Sequence, residues 1–253
     1  MKARFRLVAA WLLSLATLAA SQCARADDIR VIASNAVKEA VSELTPEFEK
    51  NTGHRVAMTW GGTTDITRRI ERGEAFDIVI IPGPIIDELA ARSAIRVGTR
   101  RDLAESLIGA AVSPGAARRD VSSAISLKQS LLEARSIVLS SGPSGVYLLD
   151  LFRRMEIKDA IGPKLKQLAP GASVGESLAR GEGDLGFTQV SELLHTLGIV
   201  YLGPLGPEVQ HATVFSIGQP TAVPPLRSTS RLIDYLTSPM STHAIENSGL
   251  KPR

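Results

Sequence analysis

Short apolar runs alternate with segments of helical spacing along most of the chain. Residues 29–33 form an apolar run that is typical of a buried strand, and apolar side chains recur at helical intervals over residues 37–48. Residues 54–60 then alternate apolar and polar positions, which predicts a half-buried strand. The alternation continues to two closing helices, predicted at residues 226–236 and 240–247. Short strands that alternate with helices predict an α/β fold with largely parallel sheets.

The order of these elements indicates two α/β units in succession. The first unit covers residues 27–109 and the second covers residues 110–212, while the helices within residues 213–253 return to the first unit. In open α/β sheets, ligands bind beyond the carboxyl ends of the strands. We therefore expect two lobes with a ligand cleft between them.

The N-terminus carries the features of a secretory signal peptide. The basic residues Lys2, Arg4 and Arg6 precede an apolar run over residues 8–20, which is shorter than the roughly 20 residues that a membrane-spanning helix needs. The sequence Ala-Arg-Ala at residues 24–26 then supplies a small-residue cleavage site. We therefore predict cleavage after this site and export to the periplasm, with an ordinary core helix as the alternative.

Removal of this segment changes the composition of the chain. The full sequence has 29 Lys and Arg against 26 Asp and Glu, but four of the basic residues precede the cleavage site, which leaves 25 against 26. A mature chain near neutrality excludes nucleic-acid binding through bulk charge. The only cysteine, Cys23, would leave as well, so no disulfide or thiolate would remain. Lipidation of Cys23 stays an alternative, although Gln22 is larger than the small residue expected before a lipidated cysteine.

Four loops at predicted strand ends are rich in small hydroxyl, amide and glycine residues. They cover residues 34–35, 61–64, 140–145 and 188–189, and the first three open helices. A helix N-terminus offers unpaired backbone N–H groups and partial positive charge, and glycine lets a ligand come close to those groups. Any one of these loops is also typical of an ordinary helix cap. Together, the four loops predict one site for a small anion that uncharged donors hold.

These loops also carry a resemblance to a known family. Residues 31–35, 60–70, 77–80, 142–148 and 184–193 resemble, in order and spacing, the periplasmic molybdate-binding proteins of ABC importers. The resemblance implies a two-lobed periplasmic binding protein of type II, in which a two-strand hinge joins two α/β domains. It further implies an oxyanion between the lobes, no metal or cofactor, and a membrane permease as the partner. We expect the chain to be a monomer.

The resemblance also implies which residues bind the ligand. The serine of the family's first loop falls on Asn35, the serine of its second loop on Thr63, and its ligand-binding tyrosine on Gln189. All three replacements can still donate a hydrogen bond, so the pocket should keep its donors while it differs in size and shape. The predicted ligand-binding residues are Ser34, Asn35, Gly62, Thr63, Ser144, Gly145, Val174 and Gln189. We predict no catalytic residue and no metal ligand, since the four histidines are scattered along the chain.

Functions of different classes remain open from the sequence. The first is a binding protein that delivers molybdate, a similar oxyanion or a small organic anion to an ABC importer. The second is a periplasmic isomerase of an unsaturated tricarboxylate, because aconitate isomerase resembles the same family. An isomerase would need a general base near a carbon acid, and arginines are the expected clamps for three carboxylates. The four loops contain no arginine, which favours the binding protein. A signalling receptor without a transporter is the third hypothesis.

Overall fold

The computed structural model describes residues 27–253, and the predicted signal peptide at residues 1–26 lies outside the described residues. The strands are β1 (Asp28–Ser34), β2 (Arg55–Gly61), β3 (Ile78–Pro82), β4 (Arg101–Val112), β5 (Ile137–Leu139), β6 (Leu165–Gln167), β7 (Leu185–Gln189), β8 (Val200–Pro204), β9 (Ala212–Gly218) and β10 (Lys251–Pro252). The α-helices are α1 (Lys38–Thr52), α2 (Thr63–Glu71), α3 (Gly83–Ala91), α4 (Ala124–Glu133), α5 (Pro143–Arg154), α6 (Lys158–Ile161), α7 (Val174–Ala179), α8 (Val190–Leu193), α9 (Arg227–Leu236) and α10 (Thr242–Asn247). Within residues 27–253, no helix has both the length and the hydrophobicity that crossing a membrane requires.

Lobe one is built on a sheet with the strand order β2-β1-β3-β9-β4. Strand β1 pairs in parallel with β2 and β3, and β9 runs antiparallel to β3 and β4. Side chains of β1 alternate between two cores. Val31 and Ala33 share one core with α1, α9 and α10, whereas Ile32 shares the other with α2 and α3. Helices therefore cover both faces, which is why every residue of β3 is buried.

Lobe two repeats this architecture on a second sheet. Strand β5 pairs in parallel with β6 and β7, and β4 runs antiparallel to β7 on one side and β8 on the other. Leu139 and Phe187 share a core with α4 and α5, while Val138 lies on the opposite face with α7 and α8. The two-lobed α/β fold that the sequence predicts is thus confirmed.

One strand of 12 residues, β4, passes from lobe one to lobe two. Its residues 101–107 pair with β9, and its residues 108–112 pair with β7. At this change of partner, the side chain of Gln210 pairs with the backbone of Ile108. Gln210 Oε1 accepts a hydrogen bond from the Ile108 N–H at 2.8 Å, and Gln210 Nε2 donates one to the Ile108 carbonyl at 3.0 Å. The division of the chain between the lobes remains a proposal, and this crossing supports it.

Several element boundaries differ from the predicted ones. Strand β4 begins at Arg101, although the apolar pattern predicted a strand only from residue 107, because its first half carries charged side chains. Helix α2 begins at Thr63 and α5 at Pro143, whereas the apolar spacing predicts helices only from residues 66 and 146. Their first turns consist of small and polar residues, which show no apolar periodicity. Helix α6 and strand β10 were not predicted, since both are too short to show a period.

A buried aspartate anchors the start of a central strand in each lobe. Asp77, before β3, accepts hydrogen bonds from the Arg30 backbone N–H at 2.8 Å and from its guanidinium at 2.9 and 3.0 Å. Asp184, before β7, accepts hydrogen bonds from the Arg135 N–H at 3.1 Å and the Arg119 guanidinium at 3.4 Å. Burial alone would raise the pKa of each carboxyl group. The hydrogen bonds and the arginine charges outweigh burial and hold both pKa values below their usual range.

We expect Asp77→Asn to lower the free energy of unfolding at neutral pH by about 1–3 kcal/mol, because the amide leaves the Arg30 donors incompletely paired. A carboxylate with a lowered pKa stabilises the fold above its unfolded-state pKa of about 4, and this stability is lost as the pH falls through the lower folded pKa. Urea unfolding at a series of pH values should show a wild-type advantage that shrinks in acid. The exposed Asp234→Asn is the matched control, and an advantage that persists in strong acid would contradict this role of Asp77.

Candidate functional site

A small cavity lies between the two lobes, where the predicted loops converge. Its volume is about 40 Å³, which is room for roughly three or four water-sized groups. Lobe one lines it with Ser34, Asn35, Ala36, Gly62, Thr63 and Phe215, and lobe two lines it with residues 140–144, Gly171, Ala172, Gln189 and Glu192. Six of the eight predicted ligand-binding residues are in this lining, and their role in binding stays a prediction.

Lobe one contributes two chain segments that begin helical turns. Ser34 ends β1, and its hydroxyl accepts a hydrogen bond from the Ala36 N–H at 3.3 Å. Helix α2 begins at Thr63, directly after Gly62, and no side chain caps its N-terminus. Its first N–H groups therefore remain available to a ligand, together with the positive end of the helix dipole.

Lobe two contributes the loop that opens α5. Gly142 precedes this helix, and no side chain caps its N-terminus either. The hydroxyl oxygens of Ser140 and Ser144 are 2.9 Å apart and hydrogen-bonded to each other. Each hydroxyl has further capacity for a hydrogen bond to a ligand. The site thus places a helix N-terminus from each lobe at the same cavity.

Two of the predicted site residues do not line the cavity. A Cβ on Gly145 would lie 1.8 Å from the Ser140 carbonyl oxygen, so this glycine permits the tight loop and does not face the ligand space. Val174 begins α7, but its side chain is buried and lies against Gly186, where a Cβ would be 2.8 Å from Val174 Cγ1. The resemblance assigns to Val174 a backbone contact with the ligand, which stays a prediction, and Gly171 and Ala172 of the preceding loop line the cavity.

Gln189 presents a buried amide to the cavity. Its Nε2 donates a hydrogen bond to Thr213 Oγ1 at 3.3 Å, while its Oε1 is buried and has no partner among the described residues. An amide that turns by 180° exchanges its oxygen and nitrogen. In that orientation Oε1 accepts from the Thr213 hydroxyl, and Nε2 points where Oε1 now lies. A ligand that accepts a hydrogen bond, such as an anion, would satisfy this second orientation.

Glu192 is the site residue that the sequence reasoning missed. It lies in the short helix α8, lines the cavity and is half-buried. The Thr188 hydroxyl donates a hydrogen bond to its Oε2, and the Gln189 backbone N–H also favours the ionised carboxylate. Burial raises the pKa of Glu192, and these hydrogen bonds oppose the rise only in part. An acidic residue in the first turn after a predicted site strand was the signal available in the sequence.

Most of the groups that line the cavity and can form hydrogen bonds are uncharged. Among the described residues that line it, only Glu192 has an ionisable side chain, and none is lysine, arginine or histidine. Residues 27–253 also contain no cluster of three or more His, Cys, Asp or Glu that could hold a metal ion. The arrangement can therefore hold a small anion through N–H and O–H groups, with one carboxyl group beside it.

The lobes touch at the cavity through two glycines. A Cβ on Gly62 of lobe one would lie 2.8 Å from the backbone N of Gly171 and 3.2 Å from its Cα. Real Cβ atoms essentially never come within 3.0 Å of backbone, so only glycine permits this approach. A wider groove of about 570 Å³ begins beside the cavity and shares Asn35, Gly171, Ala172 and Glu192 with it.

The chain is similar in sequence or structure to bacterial solute-binding proteins and to proteins related to them. Residues 29–251 match the family of bacterial extracellular solute-binding proteins. An aconitate isomerase from a Pseudomonas species is 35% identical over 230 residues, which cover 88% of this chain and 87% of that protein. The periplasmic molybdate-binding protein of Azotobacter vinelandii has a similar structure, with a TM-score of 0.71 at 16% identity over 89% of this chain and 99% of that chain. The sulfate-binding protein of Mycobacterium tuberculosis H37Rv gives a TM-score of 0.72 at 17% identity over 89% of this chain and 87% of that chain.

We expect Gly62→Ala to hold the lobes apart and to weaken the binding of a small anion at least about tenfold, or 1.4 kcal/mol. Gly62 has φ −78°, so alanine fits its backbone, and the effect should come from the contact with Gly171 alone. Gly162→Ala is the matched control, because a Cβ there meets no atom within 4 Å. Calorimetry would measure affinity, and small-angle X-ray scattering would measure the radius of gyration. Equal affinity and size in both variants would contradict the role of this contact in closure.

Proposed function

The chain belongs to the family of bacterial extracellular solute-binding proteins, and from that premise we propose that it binds a small anion between its lobes and delivers it to the membrane permease of an ABC importer. The observation that carries this proposal is the convergence of uncharged donors from both lobes on one cavity. We further propose that residues 1–26 act as a cleaved signal peptide and that the mature chain works in the periplasm.

Uncharged donors suit an anion that is fully ionised. Such a ligand needs no acceptor from the protein, and hydrogen bonds to a charged partner contribute about 1.5–3 kcal/mol each. Because the donors come from both lobes, a full set of hydrogen bonds forms only when the cleft is closed. Binding and closure would therefore be coupled, since the ligand favours the closed state.

We propose molybdate or a similar oxyanion as the ligand of this site. The cavity of about 40 Å³ matches an anion of a few oxygen atoms rather than a large organic molecule. The similar structures include proteins that are named for binding molybdate and sulfate, which are both tetrahedral oxyanions. A calorimetric screen of molybdate, tungstate, sulfate, phosphate, citrate and the two aconitates tests this choice, and no binding of any of them would refute the proposal.

We expect Thr63→Ala to weaken the binding of the anion found by that screen by about 1–3 kcal/mol, because a donor at the start of α2 is lost. Thr67→Ala is the matched control on the same helix. The Thr67 hydroxyl donates to the Thr63 carbonyl at 2.9 Å, and Thr67 does not line the cavity. An unchanged affinity of Thr63→Ala in titration calorimetry would remove this side chain from the site.

A second candidate function is the isomerisation of an unsaturated tricarboxylate. The specific observation that favours it is Glu192 in the lining of the cavity, since an isomerase needs a general base at a carbon acid. The 35% identity to the Pseudomonas aconitate isomerase supports the same candidate. In such a reaction the base takes a proton from a methylene carbon, and the C–H electron pair forms a new C=C bond to the central carbon. The π pair of the original C=C bond shifts to the former vinyl carbon, which takes up a proton there.

We expect the two candidates to separate in one experiment. The wild-type protein is incubated with trans-aconitate in D₂O, and proton NMR follows the appearance of cis-aconitate and of deuterium in the methylene group. A binding protein should give saturable calorimetric heat without turnover. An isomerase should give both isotope exchange and product, and Glu192→Gln should abolish them because the amide cannot take up a proton. Turnover that survives in Glu192→Gln would exclude Glu192 as the base.

A further inference from the structure

Glu192 is an unexpected group in a cavity that otherwise suits an anion. Among the described residues of the lining, it alone has an ionisable side chain. No Lys, Arg or His in residues 27–253 contributes an opposing charge to its carboxyl group. An ionised Glu192 would place a negative charge beside the ligand's own charge in a closed space, where little water is present to screen the repulsion.

Protonation of Glu192 would remove the repulsion between its carboxyl group and the anion, and its local contacts are compatible with this. The Thr188 hydroxyl donates to its carboxyl group and the Gln189 N–H also favours the carboxylate, and no Lys, Arg or His among residues 27–253 forms an ion pair with it. A protonated carboxyl group keeps an acceptor oxygen for these donors and gains an O–H of its own. Hydrogen bonds of the O–H···O⁻ kind are among the short and strong ones.

We propose that Glu192 contacts the bound anion as a carboxylic acid and donates its O–H to it in a hydrogen bond, an inference that rests on the proposed function. When the cleft is open, water reaches the carboxyl group and favours its ionised form. Closure around the anion removes that water, and Glu192 takes up one proton from solution. No bond of the ligand is made or broken in this step.

The other charged groups near Glu192 belong to the wider groove and not to the cavity. They come from α1, from α7 and from the segment after α8, and they are Lys38, Glu39, Glu176, Arg180 and His195. Arg180 is paired with Glu182 at 2.7 Å and with Glu176 at 3.7 Å. None of these side chains lines the cavity, but Glu192 borders the groove as well, so variants of these groups serve as controls for their effect on its charge. Burial, which raises the pKa of Glu192, acts in the same direction.

The test is proton uptake on binding, measured with molybdate and with trans-aconitate as the two probes. Titration calorimetry in Tris and in HEPES at the same pH separates the heat of binding from the heat of buffer ionisation. For the wild type, we expect uptake of up to about one proton per anion, and a dissociation constant that rises by up to about tenfold per pH unit above neutrality. Glu192→Gln keeps a donor of similar shape, and it should bind with no proton uptake and a flat pH profile.

Variants of other ionisable groups in the groove serve as controls. Glu176→Gln and His195→Gln alter ionisable groups of the groove and should keep the wild-type proton uptake. Wild-type binding without proton uptake would overturn the inference while the proposed function stood, and this arm needs no variant that could misfold. Proton uptake that persists in Glu192→Gln would overturn it as well. If neither probe binds the wild type, the choice of these ligands fails, and the inference fails with it.

Discussion

The two-lobed arrangement depends on the residue at which β4 passes from one lobe to the other, and hydrogen bonds between the Gln210 side chain and the Ile108 backbone stabilise the strand there. Strand β4 changes partners there, and a buried N–H that loses its partner costs about 1–3 kcal/mol. The Gln210 amide supplies one acceptor and one donor, so the strand continues without a break, and its Nε2 also donates to the Leu205 carbonyl at 3.1 Å. Because one strand serves both sheets, the loops of both lobes meet at a single cleft.

Much of the fold and of the cavity could be predicted from the sequence. Alternating strands and helices give the α/β class, and strand ends rich in hydroxyl and glycine residues mark the site, as at Ser34 and Thr63. Such reasoning looks at strand ends and therefore passes over Glu192, which enters from the first turn of a helix. It also passes over Gly171, because its loop has few side-chain donors. The close approach of Gly145 to the Ser140 carbonyl depends on tertiary packing, which no local pattern records.

The two candidate functions have the same requirements for how the site holds its ligand. Both need an anion to be held without a positively charged side chain, and both need water to leave when the lobes close. They differ in what we propose for Glu192 once the ligand is bound: in a binding protein its carboxylic acid donates a hydrogen bond to the anion, and in an isomerase its carboxylate takes a proton from carbon. A fold common to proteins named for different anions leaves this choice to the chemistry of a few side chains.

The aspartate anchors have a consequence for how this chain can change. Asp184 lies at the start of β7 and Gln189 at its end, so the five residues of the strand separate them by roughly 16 Å. The group that secures the strand is therefore remote from the group that faces the ligand. Substitutions at the cleft do not change the contacts of Asp184. Evolution or design can therefore alter ligand selectivity without removing the interactions that stabilise the strand.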